Sequence, residues 1–370
     1  MSVSYGGDKI TFDDGTSIAS GLSHFRNRII NGAMTIDQRN AGASVTITDT
    51  SAVTYVLDRW FGYGSAASKF SIQQDAGAVT PPAGFTDYLG VTSLAATSVG
   101  SSDFYFIGQY LEGFNTADLG FGTANAKTVT LSFWVRSSLT GTFGGSLNNS
   151  AINRSYPFSY TISSANTWEQ KSITITGDTT GTWLTTNGIG IRLWFSLGIG
   201  STYSGTAGAW AAGDFRSVTG ATSVVGTNGA TFYITGVQLE VGSFATTFER
   251  RPYGTELQLC QRYYYKTSSP DASTYGSGIQ YTTSVAILSL SFPVTMRTTP
   301  TALEQSGTAG HYYILDGGAV RTCTSVPSFN GASTNSAQST FTVSGALTAG
   351  RAALGGSLSA SSYLGWSAEL

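Results

Sequence analysis

Few residues in this chain have the side chains for acid–base, nucleophilic or metal chemistry. Its two histidines, His24 and His311, are too few for a zinc centre of three or four ligands, so each reads as a local hydrogen-bonding group. Cys260 and Cys323 lie far apart in segments of different character, which predicts two buried free thiols rather than a disulfide. No GxSxG elbow, HExxH helix or EF-hand loop occurs. The remaining route is glycan cleavage, which holds two carboxylates roughly 5 to 10 Å apart across a sugar bond. Asp103 with Glu112, and Glu240 with Glu249, are the candidate pairs. Sparse carboxylates more often serve turns and ion pairs, so the expectation is a non-enzyme without metal or cofactor. Asp58-Arg59 and Glu249-Arg250-Arg251 read the same way, as Arg–carboxylate contacts that fix a strand end or the register between subunits.

Binding offers more. Trp134 with Arg136, and Arg192 with Trp194, occupy the alternate positions of two strands whose other positions are apolar, which places all four on outward faces. An outward indole beside a guanidinium has two uses. It stacks on pyranose C–H bonds while its neighbour binds hydroxyls, or it packs against another subunit, where Trp and Arg are also enriched. Tyr203 and Trp210 bracket a long Gly-rich turn that is open to the same two readings, and His311, Tyr312 and Tyr313 stand in a later loop region.

The elements that position these residues are strands. Thr128 to Arg136 alternates, with Val129, Leu131, Phe133 and Val135 on one face, and Gly188 to Leu197 repeats the pattern with Ile189, Ile191, Leu193, Phe195 and Leu197. Lys171 to Thr176 and Val285 to Phe292 add two more. Turns such as Gly177-Asp178, Asn187-Gly188 and Asn228-Gly229 punctuate them. In Phe232 to Val241 the apolar phase switches from even to odd positions at Gly236, which predicts a β-bulge there. Helical signal is confined to Thr255-Glu256-Leu257-Gln258, read as a capping box opening a short helix to about residue 266. Leu257, Cys260, Gln261 and Tyr264 would form its stripe, against its own domain or along a three-fold axis.

Composition agrees with an all-β chain. Charged residues make up 11% of the 370, while 20 Phe, 19 Tyr and 7 Trp supply ample apolar surface, so the chain is folded and its exterior is polar through hydroxyls and amides. A net charge of −2 without a basic cluster excludes an electrostatic footprint for nucleic acid, and no run of about 18 apolar residues predicts membrane insertion. The expected architecture is a jelly-roll-like β-sandwich (25–250), a hinge helix (251–267) and a smaller C-terminal β-sandwich (268–370), preceded by an extended N-terminal attachment segment (1–24).

Four segments carry a resemblance: Ile29-Ile30-Asn31-Gly32-Ala33-Met34-Thr35-Ile36-Asp37-Gln38-Arg39; Leu57-Asp58-Arg59-Trp60; Leu131-Ser132-Phe133-Trp134-Val135-Arg136-Ser137; and Gly236-Val237-Gln238-Leu239-Glu240-Val241-Gly242, running on through Phe248-Glu249-Arg250-Arg251-Pro252 to Glu256-Leu257-Gln258-Leu259-Cys260-Gln261-Arg262-Tyr263-Tyr264. In this order the chain resembles a family of phage and prophage tail-fibre proteins whose jelly roll is similar to carbohydrate-binding modules. The closing Tyr363-Leu364-Gly365-Trp366-Ser367-Ala368-Glu369-Leu370 and the opening Lys9-Ile10-Thr11-Phe12-Asp13-Asp14-Gly15-Thr16 are similar to the ends of such fibres. The resemblance implies a homotrimer carried in the virion tail, fixed to other tail or baseplate proteins by its N-terminal segment and presenting its distal domains to the host surface. Met1 to Gly21 has no basic stretch followed by an apolar run, which predicts synthesis in the host cytoplasm. The adhesion reading of the residues places the contact with a host surface glycan on loops near 268–280 and 304–340. A ligand-free virion spacer and a glycan depolymerase are the alternatives.

Overall fold

A computed structural model describes residues 25–268 and 274–370 in full, together with the backbone of strands Val3–Gly6, Lys9–Phe12 and Ser17–Ala19. Those three short strands pair as an antiparallel meander, so the N-terminal segment folds back on itself instead of running extended. His24 and residues 269–273 of the expected host-facing loop lie outside the described residues.

Alternation builds the large sandwich. In strand Val129–Ser137 the side chains of Val129, Leu131, Phe133 and Val135 are fully buried, and in strand Ile189–Ile199 so are Ile191, Leu193, Phe195 and Leu197. The first belongs to a six-stranded sheet, ordered Glu169–Ile175, Val129–Ser137, Thr231–Val241, Leu89–Ser93, Phe70–Gln74, Val45–Thr46. The second belongs to a seven-stranded sheet, ordered Ala211–Ala212, Arg154–Ile162, Gly141–Asn148, Ile189–Ile199, Phe104–Glu112, Trp60–Gly64, Thr54–Leu57. Every pairing in both sheets is antiparallel, and the inward residues of the two interdigitate in one core. The predicted bulge is present. The register shifts between Ser132 and Trp134, opposite Gly236 at φ 62°, and this returns Val237 and Leu239 to the core. A second shift, between Ile189 and Ile191, takes Ile189 out of the core row to which alternation assigned it and packs it on the outer face.

The helix departs from expectation. It spans Tyr253–Gln261 with Pro252 at the N-cap, so Thr255 lies inside the first turn and caps nothing. Glu256, one residue on, bonds instead to the Asn31 N–H and to Arg251, tying the helix to the preceding sandwich. The helix stops early because Tyr264–Ser268, rich in β-formers, pairs with Tyr363–Ser367. Leu257 and Cys260 pack on Ile30, Ile36 and Tyr263 of their own chain. Both cysteines are buried and free.

The C-terminal unit is a second antiparallel sandwich. Its three-stranded sheet is ordered Tyr264–Ser268, Tyr363–Ser367, Glu304–Gln305. Its seven-stranded sheet is ordered Ala319–Thr322, Tyr312–Asp316, Ala352–Ser357, Thr274–Gln280, Val285–Ser291, Ser336–Thr342, Ser328–Ala332. Trp366, Tyr312 and Phe341 anchor its core.

Charged residues join the two sandwiches. Arg59, 1% exposed, donates to the Glu369 carboxylate and to the Tyr110 carbonyl, and its guanidinium stacks 3.6 Å above the Tyr263 ring. Arg39 reaches the other Glu369 oxygen at 3.1 Å and lies 3.7 Å over Tyr264. Arg262 grips Glu112 with two bonds of 2.9 and 2.6 Å, Tyr263 donates to the same carboxylate at 2.6 Å, and Arg297 bridges the Ala368 and Asn187 carbonyls. Removing one partner of such a buried pair strands the other, which costs about 3–5 kcal/mol. Arg59→Leu is therefore expected to lower unfolding stability by that amount in urea titration, whereas Arg28→Leu, whose Asp118 partner is half exposed, should change it by less than about 1 kcal/mol.

Asp58 behaves differently from its neighbour. It is buried, it accepts bonds from the Gln38 N–H at 2.7 Å and from the Gln38 side-chain amide, and desolvation pushes its carboxyl up to about 6 from an ordinary 3.8, against the opposing pull of Arg39. Between those values the folded chain holds a proton that the unfolded chain has released, so Asp58 costs stability as pH rises through the window. The melting temperature of the wild type minus that of Asp58→Asn should accordingly fall between about pH 4.5 and pH 7.

Candidate functional site

The seven-stranded sheet has a second face, turned away from the core, and register sorts its side chains into rows. Asn148, Arg192 and Tyr110 form one row; Ser146, Trp194, Gly108 and Phe61 the next; Ser196, Phe106 and Tyr63 the third. Gly108 sits where a Cβ would come within 2.8 Å of the Trp194 indole, so the space that a side chain would take is given to that ring. The result is a continuous aromatic floor. Centroids lie 4.9 Å apart for Phe106 and Trp194, 4.5 Å for Phe61 and Tyr110, and 5.1 Å for Tyr63 and Phe104, with Tyr203 edge-on to Phe104 at 5.7 Å.

Two guanidinium groups lie on this floor. Arg192 is 4.5 Å from the Tyr110 centroid and gives one bond of 3.1 Å to the Ser150 carbonyl. Arg216 lies 4.2 Å from Tyr203, 4.3 Å from Phe104 and 5.5 Å from Trp194, and Asp214 holds it through two bonds of 2.9 and 2.7 Å. Burial raises the Tyr110 phenol above its ordinary range, opposed by Arg192, so the hydroxyl stays a neutral donor at physiological pH. Four buried polar atoms on these rows have no hydrogen-bond partner within the protein: Trp194 Nε1, Ser196 Oγ, Asn148 Oδ1 and Arg192 Nε. All four are sealed from solvent, so the face that is open to other molecules lies beyond them, at the half-buried Tyr63, Phe104, Tyr203 and Arg216.

The expected site residues are distributed as follows. Arg192, Trp194 and Tyr203 converge on this face. Trp194 is only 1% exposed, against the expectation of an outward platform, because the arginines and neighbouring rings cover it. Trp134 and Arg136 belong to the other sheet and cannot share a ligand with them. Trp134 packs beside Phe85 at the Gly236 bulge, and Arg136 donates to the Asn166 carbonyl at 2.8 Å beside Tyr233. Trp210 is no open platform. It donates to the Thr176 carbonyl at 2.6 Å and packs against Tyr156, Trp183 and Phe121 at the sandwich edge. Tyr312 is wholly buried, with its hydroxyl bonded to the Tyr363 carbonyl at 2.8 Å, and Tyr313 is 6% exposed, so neither stands out from a loop. His311 faces the Ser306 and Ser361 hydroxyls at 3.3 and 3.5 Å.

One candidate carboxylate pair is too far apart for an acid–base couple, and the members of the other are held in separate hydrogen bonds. Asp103 and Glu112 flank one strand, roughly 30 Å apart at 3.3 Å per residue. Glu240 is held by Thr246, and Glu249 accepts from the backbone of Arg26 and Asn27. The floor residues Phe61, Tyr63, Phe104, Phe106 and Tyr110, and the covering Arg216, were not anticipated. The alternation Phe104, Phe106, Gly108, Tyr110 was their signal, but Tyr105, Ile107 and Leu111 between them are equally apolar, which is the pattern of a strand buried on both sides.

The fold is thus an all-β pair of sandwiches, the larger jelly-roll-like, with an aromatic outer face. No family model and no curated protein matches the chain. Solved structures similar in part include the enzymatically active domain of bacteriophage CBA120 tailspike protein 4, at 10% identity over 59% of this chain and 22% of that one, with a TM-score of 0.32. A putative sugar binding protein from Bacteroides thetaiotaomicron shares 12% identity over 58% of this chain and all of that one, at 0.34. TmCBM61 in complex with β-1,4-galactotriose shares 12% over 59% of this chain and 99% of that one, at 0.28. The chain thus spans about a fifth of the tailspike domain's length.

Trp210 provides a test of the edge cluster. Trp210→Ala should destabilise the protein by about 3 kcal/mol in denaturant unfolding, the low end for a packed indole. A displayed platform would lose almost nothing.

Proposed function

We propose that this chain is a tail-fibre subunit of a tailed bacteriophage that attaches the virion to its host, that it binds glycan on the aromatic face of the large sandwich, and that it works as a homotrimer without catalysis. The aromatic floor beneath Arg192 and Arg216 carries the reading. Tyr63, Phe104 and Tyr203, half-buried at the edge of the floor, offer ring surface, and the half-buried Arg192 and Arg216 offer guanidinium donors to hydroxyls. The sequence resemblance supplies the virion setting and the attachment role of the N-terminal strands to other tail or baseplate proteins. Single contacts on such a shallow face are weak, and three subunits on many fibres multiply them.

Association is supported from the C-terminal unit. On the outer face of its seven-stranded sheet, Val320, Leu315 and Leu354 lie side by side across three strands with Ile279 nearby, and Val320, Leu354 and Ile279 are 52%, 42% and 45% exposed. A contiguous aliphatic patch on an exposed sheet face suits contact with another copy. Sedimentation equilibrium of the full chain should give three times the 38.7 kDa chain mass, and the chain should be retained on host cells. A monomer would refute the fibre reading. A trimer that no host cell retains would leave the ligand-free spacer in its place, and shortened host polysaccharide would establish a depolymerase.

A further inference from the structure

The outer face of the six-stranded sheet carries a second band of rings, and this one reaches solvent. Register sets Arg136 beside Tyr233 and, one row on, Trp134 between Thr235 and Gln170. Phe85 lies over Gly236, where a Cβ would come within 2.6 Å of its ring, and packs on Phe248 at a centroid distance of 5.1 Å. Trp134, Phe85 and Phe248 are half-buried, and Gln170 is exposed. The Trp134 indole N–H and both Nη groups of Arg136 meet no hydrogen-bond partner among the described residues, and none of the three is sealed from solvent.

A guanidinium stands at each end of the band. Arg136 gives its Nε–H to the Asn166 carbonyl at 2.8 Å and lies 5.3 Å from the Tyr233 centroid. Arg250, which is exposed, donates to the Gly84 carbonyl and lies 4.8 Å from the Phe85 centroid. Among the described residues neither enters an ion pair, because the carboxylates around the face are engaged elsewhere. Glu169 is held by Lys171 and by the Ser163 and Ser164 N–H groups, Asp75 by the Tyr88 N–H and Asp87 by the Thr86 hydroxyl.

Two unpaired cations flanking accessible rings define the chemistry of a ligand. An aromatic face covers the C–H bonds of a pyranose, and a ring laid on Trp134 strips water from Arg136 beside it. A neutral sugar leaves that charge desolvated and uncompensated. A carboxylate takes two parallel N–H bonds from a guanidinium, and the Nη pair of Arg136 is free to give them. We propose that this face is a binding site for an acidic saccharide, with Trp134 under a sugar ring and Arg136 and Arg250 pairing with carboxylates of the same glycan. The site goes beyond the glycan reading above, which concerns the opposite sheet, and does not rest on it.

The test uses the full chain, with oligogalacturonate and oligosialate as acidic probes and maltohexaose as a neutral one. Calorimetry should detect an acidic probe, bound more tightly than maltohexaose and more weakly as salt is raised. Arg136→Gln should weaken acidic binding about tenfold, and Arg136→Lys, which keeps the charge and loses the fork, should recover part of that loss. Arg250→Gln, at an exposed position, should weaken it too, with an unchanged melting temperature in each variant showing that the fold survives. Acidic binding that neither Gln substitution weakens would place the ligand elsewhere and overturn this site, leaving the reading of the opposite sheet standing. No acidic binding by the wild type would also overturn it. If the double variant Arg136→Gln/Arg250→Gln then had a lower mass in sedimentation, the face would be a contact between copies.

Discussion

The junction of the two sandwiches centres on one buried guanidinium. Arg59 has no access to water, so it depends on partners from within, and those that meet its two Nη atoms and its flat face come from different parts of the chain: the Glu369 carboxylate, the Tyr110 carbonyl and the ring of Tyr263. A guanidinium is the right group for this position. It stays charged, presents a planar fork to a carboxylate, and stacks on an aromatic ring. Around it the same pattern recurs with Arg39, Arg262 and Arg297, which together bind the end of the chain and the strand after the helix to the rim of the large sandwich. In a chain with 11% charged residues, six of them (Arg39, Arg59, Arg262, Arg297, Glu112 and Glu369) are spent on this junction.

That expenditure explains why the segments behind the family resemblance are so legible and say so little about ligands. Asn31 turns the chain with a left-handed backbone, bonds to Ile36 through both ends of its amide, and takes the Trp60 indole N–H on its carbonyl. Gly32 is required because a Cβ would lie 2.2 Å from the Val237 carbonyl. Gln238, Glu240, Glu249 and Arg251 form one network that closes the sandwich over residues 26 and 27. These residues specify how the pieces lock, and the proposed glycan face lies on strands outside most of them.

The strand pattern was readable because period-two alternation reports a single buried face, and Val129 to Val135 had one. Gly236 was readable because the phase of the apolar residues changes there. The helix starts earlier than a capping box at Thr255 implies because that motif is a local signal: Pro252 takes the N-cap, and Glu256 is tied to neighbouring Arg251 and to Asn31 from far along the chain. The candidate site was half visible. Alternation says which side of a strand a residue takes, but not which sheet the strand joins or what lies over it, so Trp134 and Trp194 looked equivalent although they end on opposite outer faces. Arg216, supplied by a loop, had no periodicity to reveal it.

The partners in the central ion pair are 310 residues apart in sequence. During synthesis the large sandwich can gather its strands before Glu369 is made, so until then its rim holds an unpaired buried cation. A chain cut short before residue 369 keeps that seam destabilised, and the larger open population this produces is what cellular proteases act on.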